Sequence, residues 1–297
     1  MRVTQTTTER GLNQSILPMR LYQKAKKLGI WDPRDIDLTQ DKEDWKGLSD
    51  AEQQYVLRLC SMFQAGEEAV TRDLLPLVRV ISLEGRLEEE MYLTTFLWEE
   101  AKHTEMFRLF LDDVVGVKRD ITEFHGENYK KIFYEFLPEA MEALIQDQSP
   151  EAQAKASVTY NMIVEGTLAE TGYHAFYTSL KRLNKMPGLI SAIDYLKKDE
   201  SRHIGYGTYL LSRLICENEN IWDVVNSHME TLLPYAIGVV NEIITPDENM
   251  PFGLNIDEFI NFAMKQFQFR MDTLERARTR NVDEIYLISE ESVGVLR

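Results

Sequence analysis

Two cysteines, nine prolines and fifteen glycines in 297 residues leave the chain few staples and few breaks. Cys60 and Cys216 are far apart and fit no metal-binding spacing, so neither a disulfide framework nor a zinc knuckle is on offer. Such thiols predict a cytoplasmic protein that keeps them reduced. Basic residues are also in deficit: 33 Lys and Arg face 49 Asp and Glu, a formal charge of −16. A nucleic-acid partner needs clustered cations and is thereby disfavoured. No apolar run is long enough to span a bilayer, and the polar opening MRVTQTTTERGLNQ predicts no secretory leader. Repeats, low-complexity linkers and β-rich segments are missing too. What remains is 44% apolar and 28% charged, the balance of an ordinary globular protein of the all-α class.

Long stretches carry apolar residues at steps of three and four, the signature of a buried helix face. Four of them predict core helices over about 49–80, 87–115, 150–181 and 189–215. Ser49 with Glu52 forms a capping box at the first, and Pro150 suits the opening turn of the third. Flanking helices are expected at 18–28, 123–145, 222–244 and 256–279, with the termini, about 1–15 and 283–297, loosely held. The whole chain, 1–297, reads as a single domain.

Each core stripe is interrupted by a glutamate: Glu67, Glu100, Glu165 and Glu200. Two of these are followed three residues later by histidine, His103 and His203, which places each Glu–His pair on one helix face. Glu67 is in phase with Phe63, Val70 and Leu74, whereas its neighbour Glu68 is not; Glu67 therefore points inward and Glu68 outward. Glu67 and Glu100 are 33 residues apart, Glu165 and Glu200 35. A helix that runs out, turns and runs back over such a distance returns to its starting height. Two hairpins of this kind bring all four carboxylates to one level inside a four-helix bundle. Isolated carboxylates in a core are costly and would rather protonate; multivalent cations remove both the cost and the mutual repulsion.

One Glu-x-x-His is more often a surface pair than a ligand pair. Two of them, each on an apolar stripe and each preceded by an inward glutamate, form the di-iron/di-manganese carboxylate pattern of ferritin-like bundles. Carboxylates with one imidazole per ion suit Mn and Fe better than Zn. His125, His174 and His228 lack this setting and read as structural or exposed.

At these residues the chain resembles the small-subunit superfamily of ribonucleotide reductase, and more narrowly its ligand-binding oxidase branch. The resemblance runs from about residue 18 to 280 through FQAGEEAVTRD (63–73), LTTFLWEEAKHTEMF (93–107), YKKIFYEFLPEAM (129–141), YNMIVEGTLAETGY (160–173) and DYLKKDESRHIGYG (194–207). It implies that Glu67, Glu100 and His103 hold one metal, Mn, and that Glu165, Glu200 and His203 hold the other, Fe, with a di-iron filling as the alternative. It implies an oxidase that uses O2, binds a long-chain fatty acid or similar hydrophobic ligand with its carboxylate on the metals, forms a tyrosine–valine ether from Tyr160 and Val70, and assembles as a homodimer. Asp199 would either orient His103 through a hydrogen bond or stand as a solvated helix acid, and Tyr173 would either hydrogen-bond near the metals or pack in the core. Phase supports Val70 but opposes Tyr160, which in a regular helix lies about 140° from the face of Glu165; the cross-link needs a local π-bulge or close approach of the neighbouring helix.

Rival expectations come from the same site. A ribonucleotide reductase small subunit of the Mn/Fe type would have Phe107 where most relatives place a radical tyrosine, and would use a C-terminal tail in which Tyr286 is the one tyrosine. A desaturase or hydroxylase shares the paired motif. An iron store would need many ions, against the six ligands seen here.

Overall fold

The computed structural model describes residues 7–243 and 251–295. Among them every regular element is a helix. Four form the core: α1 (Asp50–Asp73), α2 (Leu87–Phe110), α3 (residues 150–179) and α4 (Pro187–Glu217). Helices α1 and α2 pack on each other, α3 packs on α4, and α4 also meets α2. Leu17–Leu28 lies along α2 and α4, while Asn220–Glu242 and Ile256–Glu275 cover α3. This is the ferritin-like bundle with added helices.

Local sequence sets the boundaries. The capping box at Ser49 and Glu52 opens α1, whose expected run to about residue 80 breaks at Leu74. A separate helix, Leu75–Leu83, follows with a proline in its first turn, where a missing N–H costs nothing. Helix α2 ends in a π turn, Leu111–Val115, closed by Gly116 at φ +72, a conformation glycine adopts without strain.

The middle of α3 departs most from regularity. Pro150–Ser157 and Glu170–Ser179 are α-helical, but Val158–Ala169 between them is a π-helix. Its i→i+5 pattern turns residues five apart towards one face, which supplies the bulge that Tyr160 and Glu165 call for. Gly166 belongs to this wide turn: a Cβ there would sit 2.9 Å from the Asn161 carbonyl oxygen and 3.0 Å from Arg270 Nε.

The expected loose C-terminus is packed instead. A second capping box, Asn281 with Glu284, starts a turn at Val282–Tyr286, and Ile285, Ile288, Val293 and Val295 are buried. Val295 lies against Gly205 so closely that a Cβ there would come within 2.3 Å of its methyl group. Four apolar side chains removed from water outweigh the ordering of a short segment. Near the other end Arg10 pairs with buried Glu88 at 2.7 Å; residues 1–6 and 296–297 lie outside the described residues.

Candidate metal centre

The four expected glutamates and two histidines converge. Glu67 from α1, Glu100 and His103 from α2, Glu165 from the π segment of α3, and Glu200 and His203 from α4 are all buried. They form two overlapping groups, Glu67–Glu100–His103–Glu200 and Glu100–Glu165–Glu200–His203; in each, the potential ligand atoms lie within 4.8 Å of one another. Where the resemblance implied three residues for each ion, each group here has four. Glu100 sends Oε2 to within 3.4 Å of His103 Nδ1 and Oε1 to within 3.2 Å of His203 Nδ1. Glu200 does the same, at 3.3 and 3.5 Å. Both carboxylates face both subsites, while Glu67 and Glu165 each face one. Outward Glu68 is exposed, as its phase required.

Five atoms of this cluster are buried with no hydrogen-bond partner: Glu100 Oε2, His103 Nδ1, Glu165 Oε1, Glu200 Oε2 and His203 Nδ1. Buried polar atoms are rarely left so, and all five are of the kinds that can ligate a metal and face a shared space. Four carboxylates carry four negative charges, which two divalent cations neutralise. The donor set therefore fits a dinuclear centre of carboxylate- and imidazole-loving ions.

Without cations, protons must serve. Burial pushes Glu67 up to about 8 and Glu165 well above the usual carboxylate range, with the charge on Glu200 adding to it. Burial would raise Glu100 as well, but His203 and His103 outweigh it and hold that group low. Burial disfavours charge on the histidines; Asp199, Glu100, Glu200 and Glu67 reverse this for His103, and Glu100 and Glu200 for His203, so both bind protons more tightly than usual. Cation binding must displace these protons.

Behind the histidines lies a charged layer. His203 Nε2 donates to Glu99 at 2.9 Å and His103 Nε2 to Asp199 at 3.4 Å. Each bond fixes the tautomer that leaves Nδ1 bare towards the cluster. Arg202 binds both carboxylates, and Asp199 also accepts from Trp31 Nε1 at 2.8 Å and Lys102 Nζ at 3.3 Å. Asn161 Nδ2 holds Glu165 Oε2 at 2.9 Å. Sequence reasoning reached Asp199 but missed Glu99, Arg202, Lys102, Trp31 and Asn161. A signal for Glu99 was present: an acid precedes the glutamate in both motifs, as EEAKH and as DESRH.

Tyr160 is buried; its hydroxyl donates to the Val70 carbonyl at 3.1 Å and lies 3.4 Å from Glu100 Oε1. Tyr173 stacks on Phe63 with centroids 5.3 Å apart, and its buried hydroxyl has no partner among the described residues. The other histidines sit elsewhere: His125 contacts Ser61 and Tyr134, His228 contacts Thr159, and His174 stacks on Phe262. Cys60 and Cys216 are unpaired.

A cavity of about 630 Å³ of atom-free space, partly open to solvent, reaches the cluster between α1, α3 and Asn220–Glu242. Its wall includes Leu59, Met62, Phe133, Val164 and Val239, and its inner end is Glu67, Glu100, Glu165 and Glu200 beside Val70.

Residues 19–272 match the family "Ribonucleotide reductase, small chain". The chain belongs to the ribonucleotide reductase small-chain family. Among solved structures, an R2-like ligand-binding oxidase with aerobically reconstituted Mn/Fe cofactor is 39% identical, with 92% of this chain and 98% of that one covered and a TM-score of 0.88. A variant of an R2-like ligand-binding oxidase, again with an aerobically reconstituted Mn/Fe cofactor, is 40% identical, with 88% and 98% covered and a TM-score of 0.85. No described helix of this small-chain family member is long and apolar enough to cross a membrane.

Proposed function

We propose that this family member is an O2-using oxidase with one Mn and one Fe in its centre, and that it takes a long-chain fatty acid or similar amphiphile in the cavity. The observation that carries this reading is an apolar cavity whose inner end consists of four glutamates. A cavity that is apolar along its walls and polar at one end selects a molecule built the same way. A fatty carboxylate would place its headgroup on the cations and its chain among Leu59, Met62, Phe133 and Val239.

Glu67, Glu100, Glu200 and His103 would hold one ion, and Glu165, Glu100, Glu200 and His203 the other, with Mn in the first and Fe in the second as in the resemblance. Bound there, the metal pair supplies the redox chemistry with O2 that no side chain here can supply. The protein excludes water from the reacting groups, keeps both Nδ1 atoms bare through Glu99 and Asp199, and holds Tyr160 against Val70. With its hydroxyl on the Val70 backbone carbonyl at 3.1 Å, Tyr160 would form an ether from its oxygen to Val70 Cβ. That step removes one hydrogen from each residue and passes two electrons and two protons to O2. The phenol's proton has an acceptor in Glu100, 3.4 Å away.

Mass spectrometry after aerobic Mn/Fe loading tests this. Peptides containing Tyr160 and Val70 should appear joined, lighter than their sum by two hydrogens, and lipid extraction should release a fatty acid. Separate peptides of unchanged mass would remove the cross-link from the account.

A further inference from the structure

Phe96 lies flat on His203, ring centroids 3.6 Å apart and 7° from parallel, and also meets Tyr160 at 5.9 Å. From Phe96 a line of aromatic rings leads away from the cluster. Tyr92 follows at 6.1 Å, Tyr206 at 5.3 Å from Tyr92, Tyr209 at 6.2 Å from Tyr206, and Tyr286 at 6.4 Å from Tyr209. Tyr92, Tyr206 and Tyr209 are fully buried, and Tyr286 reaches the surface half-buried. Electron transfer weakens steeply with distance, so redox-active rings in near contact make a hopping route where a single long step would fail.

The hydroxyls carry the second observation. Oxidising a phenol in an apolar interior requires its proton to leave, because a buried cation is costly. Tyr206 and Tyr209 donate to the two oxygens of one carboxylate, Glu89, at 3.1 and 3.4 Å. Arg86 and Arg213 lie 3.4 and 3.9 Å from Glu89 and hold its charge. Burial raises the proton affinity of Glu89, which suits it to take a phenolic proton and return it. Tyr92 has no such acceptor, so it bridges and does not store charge. Phenylalanine would pack as well at Tyr206 and Tyr209 without needing a buried acid and two arginines, an arrangement that is poor value for stability alone.

We propose that Tyr92, Tyr206, Tyr209 and Tyr286 form a conduit that carries single oxidising equivalents from the buried centre to the surface, where a small one-electron reductant of the thiol or ascorbate class cancels them. The inference rests on the oxidase reading, since O2 is its oxidant. Tyr206 and Tyr209 each pass an electron inward and a proton to Glu89, then regain both from the next donor; Tyr286 exchanges its proton with solvent, and Phe96 and Tyr92 carry the electron across without being oxidised themselves. The net change is one electron and one proton lost by the surface reductant, and one oxidising equivalent removed from the centre. The conduit protects the protein when O2 is reduced while no oxidisable group is in reach.

The test uses the full chain loaded with Mn and Fe and carrying Tyr160→Phe, which removes the internal target. The protein is exposed to O2 with a nitroso spin trap while O2 uptake is measured, then digested and mapped. The trap should sit on Tyr286, and adding Tyr209→Phe should lower that adduct several-fold, with oxidation moving inward to Tyr92 and its neighbours. Tyr177→Phe, off the line, should leave the adduct unchanged. O2 uptake with no Tyr286 adduct, or an adduct indifferent to Tyr209→Phe, would overturn the conduit alone. Absence of O2 uptake would overturn the oxidase reading and the conduit with it.

Discussion

Replacing Glu99 by glutamine separates the layer behind the histidines from the ligands themselves. Glu99 is fully buried; one oxygen accepts from His203 Nε2 at 2.9 Å and the other from Arg202. Glutamine keeps the shape and can still accept from Arg202, but it turns an NH2 donor towards the imidazole. His203 then gains by moving its proton to Nδ1, the atom that faces Glu100 and Glu200. Loss of such an outer partner typically weakens a metal site about 10–100-fold, or about 1.4–2.7 kcal/mol. His103 retains Asp199, so the effect falls on one subsite. Metal content after dialysis against a graded chelator should drop from two ions per chain towards one, and anomalous diffraction should place the loss beside His203. Asp199→Asn should mirror this at His103. Equal loss from both subsites in Glu99→Gln, or no loss, would refute the claim that each outer carboxylate fixes one histidine's tautomer.

Other changes give distinct readouts. Gly207→Ala would place a Cβ 2.2 Å from Asn161 Cβ; overpacking of this kind costs about 1–3 kcal/mol, and an unshifted urea midpoint of the metal-free protein would contradict the close α3–α4 contact. Burial, aided by Lys155, pushes His228 down to about 4 from an ordinary 6.5. Below 6.5 the unfolded chain takes up a proton that the folded one refuses, so stability is full above that pH and falls towards 4, by at most about 3 kcal/mol. His228→Gln should flatten this acid arm in denaturation curves recorded from pH 7 to 4, and an unchanged slope would remove His228 from the cause. Val164→Phe adds a ring to the cavity wall beside Glu165 and should abolish co-purifying lipid in extracts while leaving two metals per chain; retained lipid would show that the ligand lies elsewhere.

Much of this site was legible because two periodicities coincide. The 3.6-residue helix period put Glu67 inward and Glu68 outward, and the hairpin lengths brought four helices to one height. Asp199 was legible from its place beside Glu200. Sequence could not reveal that Glu100 and Glu200 each face both subsites, since bridging depends on how helices lean together and not on spacing within one. It also missed the Arg202, Lys102 and Trp31 layer, whose members come from two helices and a loop and read singly as ordinary surface or core residues. The π-helix was expected only as a requirement of Tyr160; its extent over Val158–Ala169 does not show in the residue spacing, and Gly166 within it packs against Arg270, a tertiary contact. The packed C-terminus was misread because four apolar residues spread over eleven positions show no clean period.

The chemistry proposed for this protein depends on two transition-metal ions between Glu67, Glu100, His103, Glu165, Glu200 and His203. Anomalous diffraction at the Mn and Fe edges, from crystals of aerobically reconstituted protein, tests it most directly. Two ions should appear, one on each histidine through Nδ1, with Glu100 and Glu200 touching both. A single ion, an ion bound elsewhere, or histidines ligating through Nε2 would contradict it.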